Sequence, residues 1–141
     1  PKWQVVVITG TDSELASTLK GLSKNLKVFS NWSNEAVAEL FAVATILVTK
    51  PGGLTSGQAI VNSLPMVLVH PLPTMEEMNQ EYLTKAGVGL KAANTKQMVT
   101  AVGQLLSDKK LYGQLQKNAK ALNMQDAAKT AAGVVIDILN R

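Results

Sequence analysis

Five short apolar runs, each followed by a stretch with helical spacing, restrict this chain more than any other feature. Val5-Val6-Val7-Ile8 is a continuous β-branched run ended by Thr9-Gly10, which predicts a strand buried on both faces. Leu26–Phe29, Ala44–Thr49, Met66–Val69 and Val88–Lys91 read as four more strands. Between them, Leu15, Leu19 and Leu22 recur at helical spacing behind a cap at Asp12 or Ser13. Val37, Leu40 and Phe41 mark a second helix, residues 55–63 a third and residues 76–86 a fourth, stopped by Gly87. The remainder is helical: Met98, Val102 and Leu105 share one face, Leu111, Leu115 and Leu122 another, and Ala127, Ala131, Val134 and Ile138 a third. Short apolar strands alternating with helices predict an α/β fold, a Rossmann-like, doubly wound parallel sheet with helices on both faces. Ligands of such sheets sit at the carboxyl ends of the strands.

The totals narrow the function classes. A chain of 141 residues with 46% hydrophobic and 17% charged residues suits one domain with one core. No uncharged run has the unbroken length of a membrane span, and no signal peptide is expected. The absence of cysteine excludes disulfides and thiolate chemistry and fits a cytoplasmic protein. The net charge is +4, but Arg141 is the only arginine, the lysines are scattered and aromatics are 4% of residues. Nucleic-acid binding calls for a denser stripe, so no nucleic-acid partner is expected. Because the first residue is Pro1 and strand-like sequence follows at once, the chain reads as a piece of a longer protein.

Chemistry concentrates in "TKPGGLTSGQ", residues 49–58. Gly52 and Gly53 let a bulky ligand approach the backbone, and a following helix offers unpaired N–H groups and a partial positive charge. With the hydroxyls of Thr55 and Ser56 this makes an anion site, most naturally for phosphate. An alternative stays open: Thr55-Ser56-Gly57-Gln58 also fits a capping box, with Gln58 closing the helix end. Neither the Walker spacing nor Gly-x-Gly-x-x-Gly occurs. His70 is the one histidine, placed between a strand and Pro71 without an evident partner, and reads as a loop residue. Glu76 and Glu77 are adjacent on a helix, so they point about 100° apart and cannot flank one bond. They read either as sugar contacts or as first-turn carboxylates that favour the helix dipole. Lys50 reads either as a lysine that approaches phosphate or, the favoured reading, as a solvated lysine at a strand end.

Over "VTKPGGLTSGQAIVNSLPMVLVHPLPTMEEMNQEYLTKAGVG" the chain resembles the carboxyl-terminal, donor-binding domain of the diacylglycerol glycosyltransferases, the group of monogalactosyldiacylglycerol synthase and the processive diacylglycerol glucosyltransferases. "AELFAVATILVTKPGG" and "WQVVVITG" extend the resemblance over nearly the whole chain. The resemblance implies a partial carboxyl-terminal half of a GT-B glycosyltransferase, with residues 1–141 lacking the domain's first strand and Gly-rich loop. It implies a UDP-sugar donor, UDP-glucose or UDP-galactose, and a lipid acceptor, diacylglycerol or similar, held by the missing amino-terminal half with the catalytic base. It implies no cofactor and no metal, since helix ends and hydroxyls hold the diphosphate. Peripheral membrane contact at the inner face and self-association through the open sheet position also follow from it.

Carried over by position, Gly52, Gly53, Leu54, Thr55 and Ser56 fall on the diphosphate motif, and Gln58 on a glutamate that accepts from the ribose hydroxyls. Glu76, Glu77 and Asn79 fall on the segment that contacts the sugar, and Trp32 and Ser33 lie near the loop that meets the uracil. Three positions depart from the family pattern: Gln58 replaces Glu, Gly57 stands where a serine is usual, and Thr74-Met75 replaces Gly-Gln. Two rival readings follow, a degenerate, non-catalytic nucleotide-binding or interaction module and a sugar-nucleotide epimerase of the same architecture.

Overall fold

The computed structural model describes residues 3–122 and 126–140, so Pro1 and Arg141 lie outside the described residues. The chain divides into two compact units, Pro1–Leu40 and Phe41–Arg141.

In the first unit, β1 (Val5–Ile8) pairs in parallel with β2 (Leu26–Phe29), in a register that sets Val5 beside Leu26 and Ile8 beside Phe29. Helix α1 (Ser13–Leu19) connects them. Its cap is Asp12, whose Oδ1 accepts from Leu15 N at 2.8 Å. The helix stops at Leu19, two residues before Gly21, which turns the chain at φ +84°, a backbone region costly for other residues. Leu22 therefore falls outside α1 and is 69% exposed, contrary to the expected Leu15–Leu19–Leu22 face. Nor is β1 buried on both faces: Val5 is exposed and Val6, Val7 and Ile8 are half-buried. Among the described residues β1 has one strand partner, so its other edge is open.

Helix α2 (Asn34–Val43) spans the division between the units and buries Phe41. It runs to Val43, and β3 begins only at Leu47, so the strand expected over 44–49 is shorter than the apolar run.

The second unit holds β3 (Leu47–Thr49), β4 (Met66–Val69) and β5 (Gly89–Ala92), all parallel, in the order β3-β4-β5. The central strand is the most buried, with Met66, Val67 and Leu68 fully enclosed. On one face Val67 and Ala92 pack with Ala101 and Leu105 of α5 (Thr95–Ser107) and Leu115 of α6 (Lys109–Leu122). The expected faces of Met98 and Val102 and of Leu111 join this cluster. Met66 and Leu68 alternate to the opposite face and are equally enclosed, so helices cover both sides of this sheet. Strand β5 starts at Gly89, not at the expected Val88. A Cβ on Gly89 would stand 3.0 Å from Leu68 Cδ1 and 3.3 Å from Met66 Cβ, and only glycine fits so close to β4. Helix α3 (Gly53–Val61) follows β3, and α4 (Met75–Lys85) follows β4. Helix α7 (Ala127–Leu139) forms as expected but buries no residue.

Candidate functional site

The site begins where β3 ends. Pro51 is fully buried, and Gly52 N donates to Lys50 O at 2.8 Å across it, a γ-turn that proline's fixed φ favours. Gly52 is the N-cap of α3, extended at φ −70° and ψ 140°, and its carbonyl accepts the first helical bond from Ser56 N at 3.0 Å. The expected capping box at Thr55–Gln58 is therefore not formed: both residues lie inside the helix, and a glycine cap supplies no side-chain acceptor. The N–H groups of Gly53, Leu54 and Thr55 consequently have no acceptor among the described residues. Ser56, the next residue of the helix, is 3% exposed, and its hydroxyl has no hydrogen-bond partner among the described residues. Leu54 is 90% exposed and Gln58 is exposed one turn further along.

Helix α4 is fastened to this turn by residues on one side. Asn79 Nδ2 donates to Pro51 O at 3.0 Å, holding the turn's backbone. Gln80, buried, donates through Nε2 to Leu68 O at 3.3 Å at the end of β4. Glu76 Oε1 pairs with Lys50 Nζ at 3.2 Å, and Oε2 accepts from Leu72 N at 2.7 Å. The Leu72 N–H, ahead of the Lys50 ammonium, lowers the Glu76 pKa below the ordinary carboxylate value. Glu77 serves the helix itself: Oε2 accepts from Thr74 N at 3.2 Å, the role of a first-turn carboxylate.

The loop between β4 and α4 is held in an uncommon backbone shape. His70 has φ 42° and Thr74 has φ 74° with ψ −82°. Met75 N donates to Pro73 O at 3.1 Å, which makes Thr74 the centre of a γ-turn of the rare, strained hand. The sequence places Thr74 where the resembled pattern has glycine, and the backbone there keeps a glycine-like conformation. His70 is exposed, in keeping with a loop residue.

Within the second unit the fold thus brings together Gly52–Ser56, Glu76 and Asn79. Gln58 projects from the next turn of α3, and Glu77 is turned to its own helix end. Trp32 and Ser33 belong to the first unit. There Trp32 stacks against Phe29, ring centroids 4.2 Å apart at 38°. Ser33 Oγ accepts from Ala36 N at 3.2 Å as the cap of α2. Backbone hydrogen bonding and then the Ser33 hydroxyl lower the pKa of Glu35 in that first turn. Sequence reasoning did not find the roles of Lys50 and Gln80. Their partners are remote in sequence, and no local pattern announces them. A groove of about 760 Å³ on the flank of α4, lined by His70, Glu77, Gln80, Lys85 and Lys91 among others, does not include the turn. Among the described residues no three His, Asp or Glu side chains gather as metal ligands.

No family model matches the chain. Curated relatives do. A processive diacylglycerol beta-glucosyltransferase of Bacillus licheniformis is 29% identical over 136 residues, 95% of this chain and 36% of the relative. Its counterpart in Bacillus cereus is 30% identical over 148 residues, 99% of this chain and 35% of the relative. That of Bacillus subtilis is 29% identical over 96% of this chain. The chain spans about a third of the length of these relatives. Among solved structures, the glycotransferase of kitacinnamycin aligns with TM-score 0.68 and 22% identity over 94% of this chain and 35% of that one. WaaG, a glycosyltransferase involved in lipopolysaccharide biosynthesis, aligns with TM-score 0.65 and 22% identity over 93% and 37%. The resemblance read from the Pro-Gly-Gly segment is borne out in sequence, and the parallel α/β fold is that of GT-B glycosyltransferases.

Proposed function

We propose that this chain is the carboxyl-terminal, UDP-sugar-binding part of a hexosyltransferase that carries glucose or galactose to diacylglycerol or a similar lipid. One observation carries the reading: three successive unpaired N–H groups, Gly53 to Thr55, begin a helix at the end of a parallel strand beside the buried, unpartnered Ser56 hydroxyl. A diphosphate satisfies all of these donors at once. The glucosyltransferase activity of the Bacillus relatives supplies the reaction class.

In this reading the acceptor hydroxyl oxygen attacks the anomeric carbon while the bond from that carbon to the diphosphate oxygen breaks. The hydroxyl proton passes to a base in the part of the protein that this chain lacks. The donors of Gly53–Ser56 stabilise the charge gathering on the departing UDP. They do so without a metal ion or cofactor. Gln58 takes a ribose hydroxyl and Glu76 the sugar. Asn79 acts through the turn, by holding Pro51 O. The chain alone is inactive, because acceptor and base are elsewhere. A further parallel strand fills an open sheet edge such as that of β1, which has one strand partner among the described residues. In its absence that edge allows self-association. No described helix is long and apolar enough to cross a membrane. In this reading the lipid is met peripherally, through the other part of the protein.

A second reading, a nucleotide-binding module without catalysis, is favoured by one observation, the strained Thr74 in the loop before α4. An NMR titration with UDP, with ADP as control, tests the donor site. Selective shifts at Gly52, Gly53, Thr55 and Ser56 support it. Equal shifts with ADP, or none in the full-length parent, refute it. Sugar transfer by that parent then separates the enzyme from the module.

A further inference from the structure

Lys50 and Glu76 lie in the one region where the unpaired donors begin, and their pairing has a consequence for how that region fills. Glu76 is largely enclosed, its side chain 16% exposed, and Oε2 is fixed to Leu72 N at 2.7 Å. Its Oε1 lies against Lys50 Nζ at 3.2 Å and close to the start of α3, since a Cβ built on Gly52 would be 4.0 Å from it. A carboxylate oxygen therefore borders Gly52, the residue that caps α3. Helix α3 has nine residues, and the unpartnered Ser56 hydroxyl, on a residue 3% exposed, marks the same end as short of an acceptor. An anion arriving there is repelled by Glu76 and attracted by Lys50. Only Lys50 is free to respond. Its side chain is 51% exposed on a flexible stem, whereas Glu76 is held from its second oxygen.

We propose that Lys50 is a shared cation: it pairs with Glu76 in the empty site and turns to the diphosphate of a bound nucleotide sugar, leaving Glu76 Oε1 free to accept a sugar hydroxyl. This rests on the donor-site reading and adds to it a positioning residue that links phosphate arrival to a free sugar acceptor. Phosphate binding and sugar recognition are then coupled through one ammonium group rather than acting independently.

The test is a double-substitution cycle on UDP affinity, measured by calorimetry on the full-length parent as wild type, Lys50→Met, Glu76→Gln and both together. Lys50→Met weakens UDP by about threefold or more. Glu76→Gln tightens UDP by about threefold while Lys50 is present, because its competitor is gone, and by less than about 1.5-fold when residue 50 is Met. Glu76→Gln also abolishes any preference for UDP-glucose over UDP. Lys50→Arg, which keeps the charge, retains the coupling and serves as the cation-bearing partner if the Met variant does not fold. Equal tightening in both backgrounds means plain repulsion and overturns the exchange, as does weakening by Glu76→Gln. Failure of the wild type to bind UDP at all overturns the donor-site reading itself, a result distinct from loss of the coupling alone.

Discussion

Replacing Thr74 by glycine should stabilise this protein, against the usual direction for glycine. Thr74 is exposed, β-branched and held at φ 74°, ψ −82°. A side chain in that region costs about 1–3 kcal/mol of backbone strain. Glycine removes the strain but adds freedom to the unfolded chain, which costs about 0.4–1 kcal/mol. The difference leaves Thr74→Gly more stable by about 0.5–2 kcal/mol. With a urea dependence of about 2 kcal/mol per M, the unfolding midpoint rises by about 0.25–1 M. Thr74→Ala is the reference, because it removes the hydroxyl and the β-branch yet keeps a Cβ at the strained φ. The assay is urea unfolding followed by far-UV circular dichroism, which reads the helices, α4 after this loop among them. A midpoint for Thr74→Gly at or below that of Thr74→Ala refutes the argument. It would mean that Thr74 does not keep the γ-turn in solution.

Two further outcomes follow from the second unit. Gly89→Ala places a methyl 3.0 Å from Leu68 Cδ1 and 3.3 Å from Met66 Cβ, side chains with no exposure, and should cost about 1–3 kcal/mol, read as a lower urea midpoint. The lowered pKa of Glu76 means that its carboxylate adds stability above the ordinary carboxylate pKa, and that this is lost as pH falls through the lowered value. The stability gap between wild type and Glu76→Gln should then favour wild type at about pH 7 and narrow as the pH falls below the ordinary carboxylate range and through the lowered value.

How legible each part was depends on how local its cause is. In the second unit Met66–Val69 was legible because an uninterrupted apolar run calls for cover on both faces, and Met66, Val67 and Leu68 are enclosed; the same argument misjudged Val5–Ile8. Leu22 was misplaced because the leucine spacing continued through Gly21, whereas the backbone turned there. Val88 is as buried as the strand it precedes, so burial alone could not mark the first residue of β5. The Pro-Gly-Gly turn was readable since a turn is made by its own residues. Its cap was not, because a hydroxyl with Gln three residues on suggested Thr55, while the glycine that caps α3 carries no side-chain signal. A carboxylate three residues after a hydroxyl does close a helix end here, at Thr74 and Glu77. The ties that complete the site, Lys50 to Glu76 and Asn79 to Pro51, cross 26 and 28 residues. Such pairs depend on two strands and two helices being in place, and no periodicity encodes them.

The burial of Pro51 and the hold of Asn79 on its carbonyl bear on recognition as well as on folding. A glycine pair on an open loop would wander among many conformations, and a ligand would have to arrest it. Here the ring fixes one dihedral, the side-chain amide fixes the next peptide, and the three N–H groups stand in their final directions before anything arrives. The entropy of ordering this turn is lost once, when the chain folds, so each encounter with an anion meets a preorganised cradle.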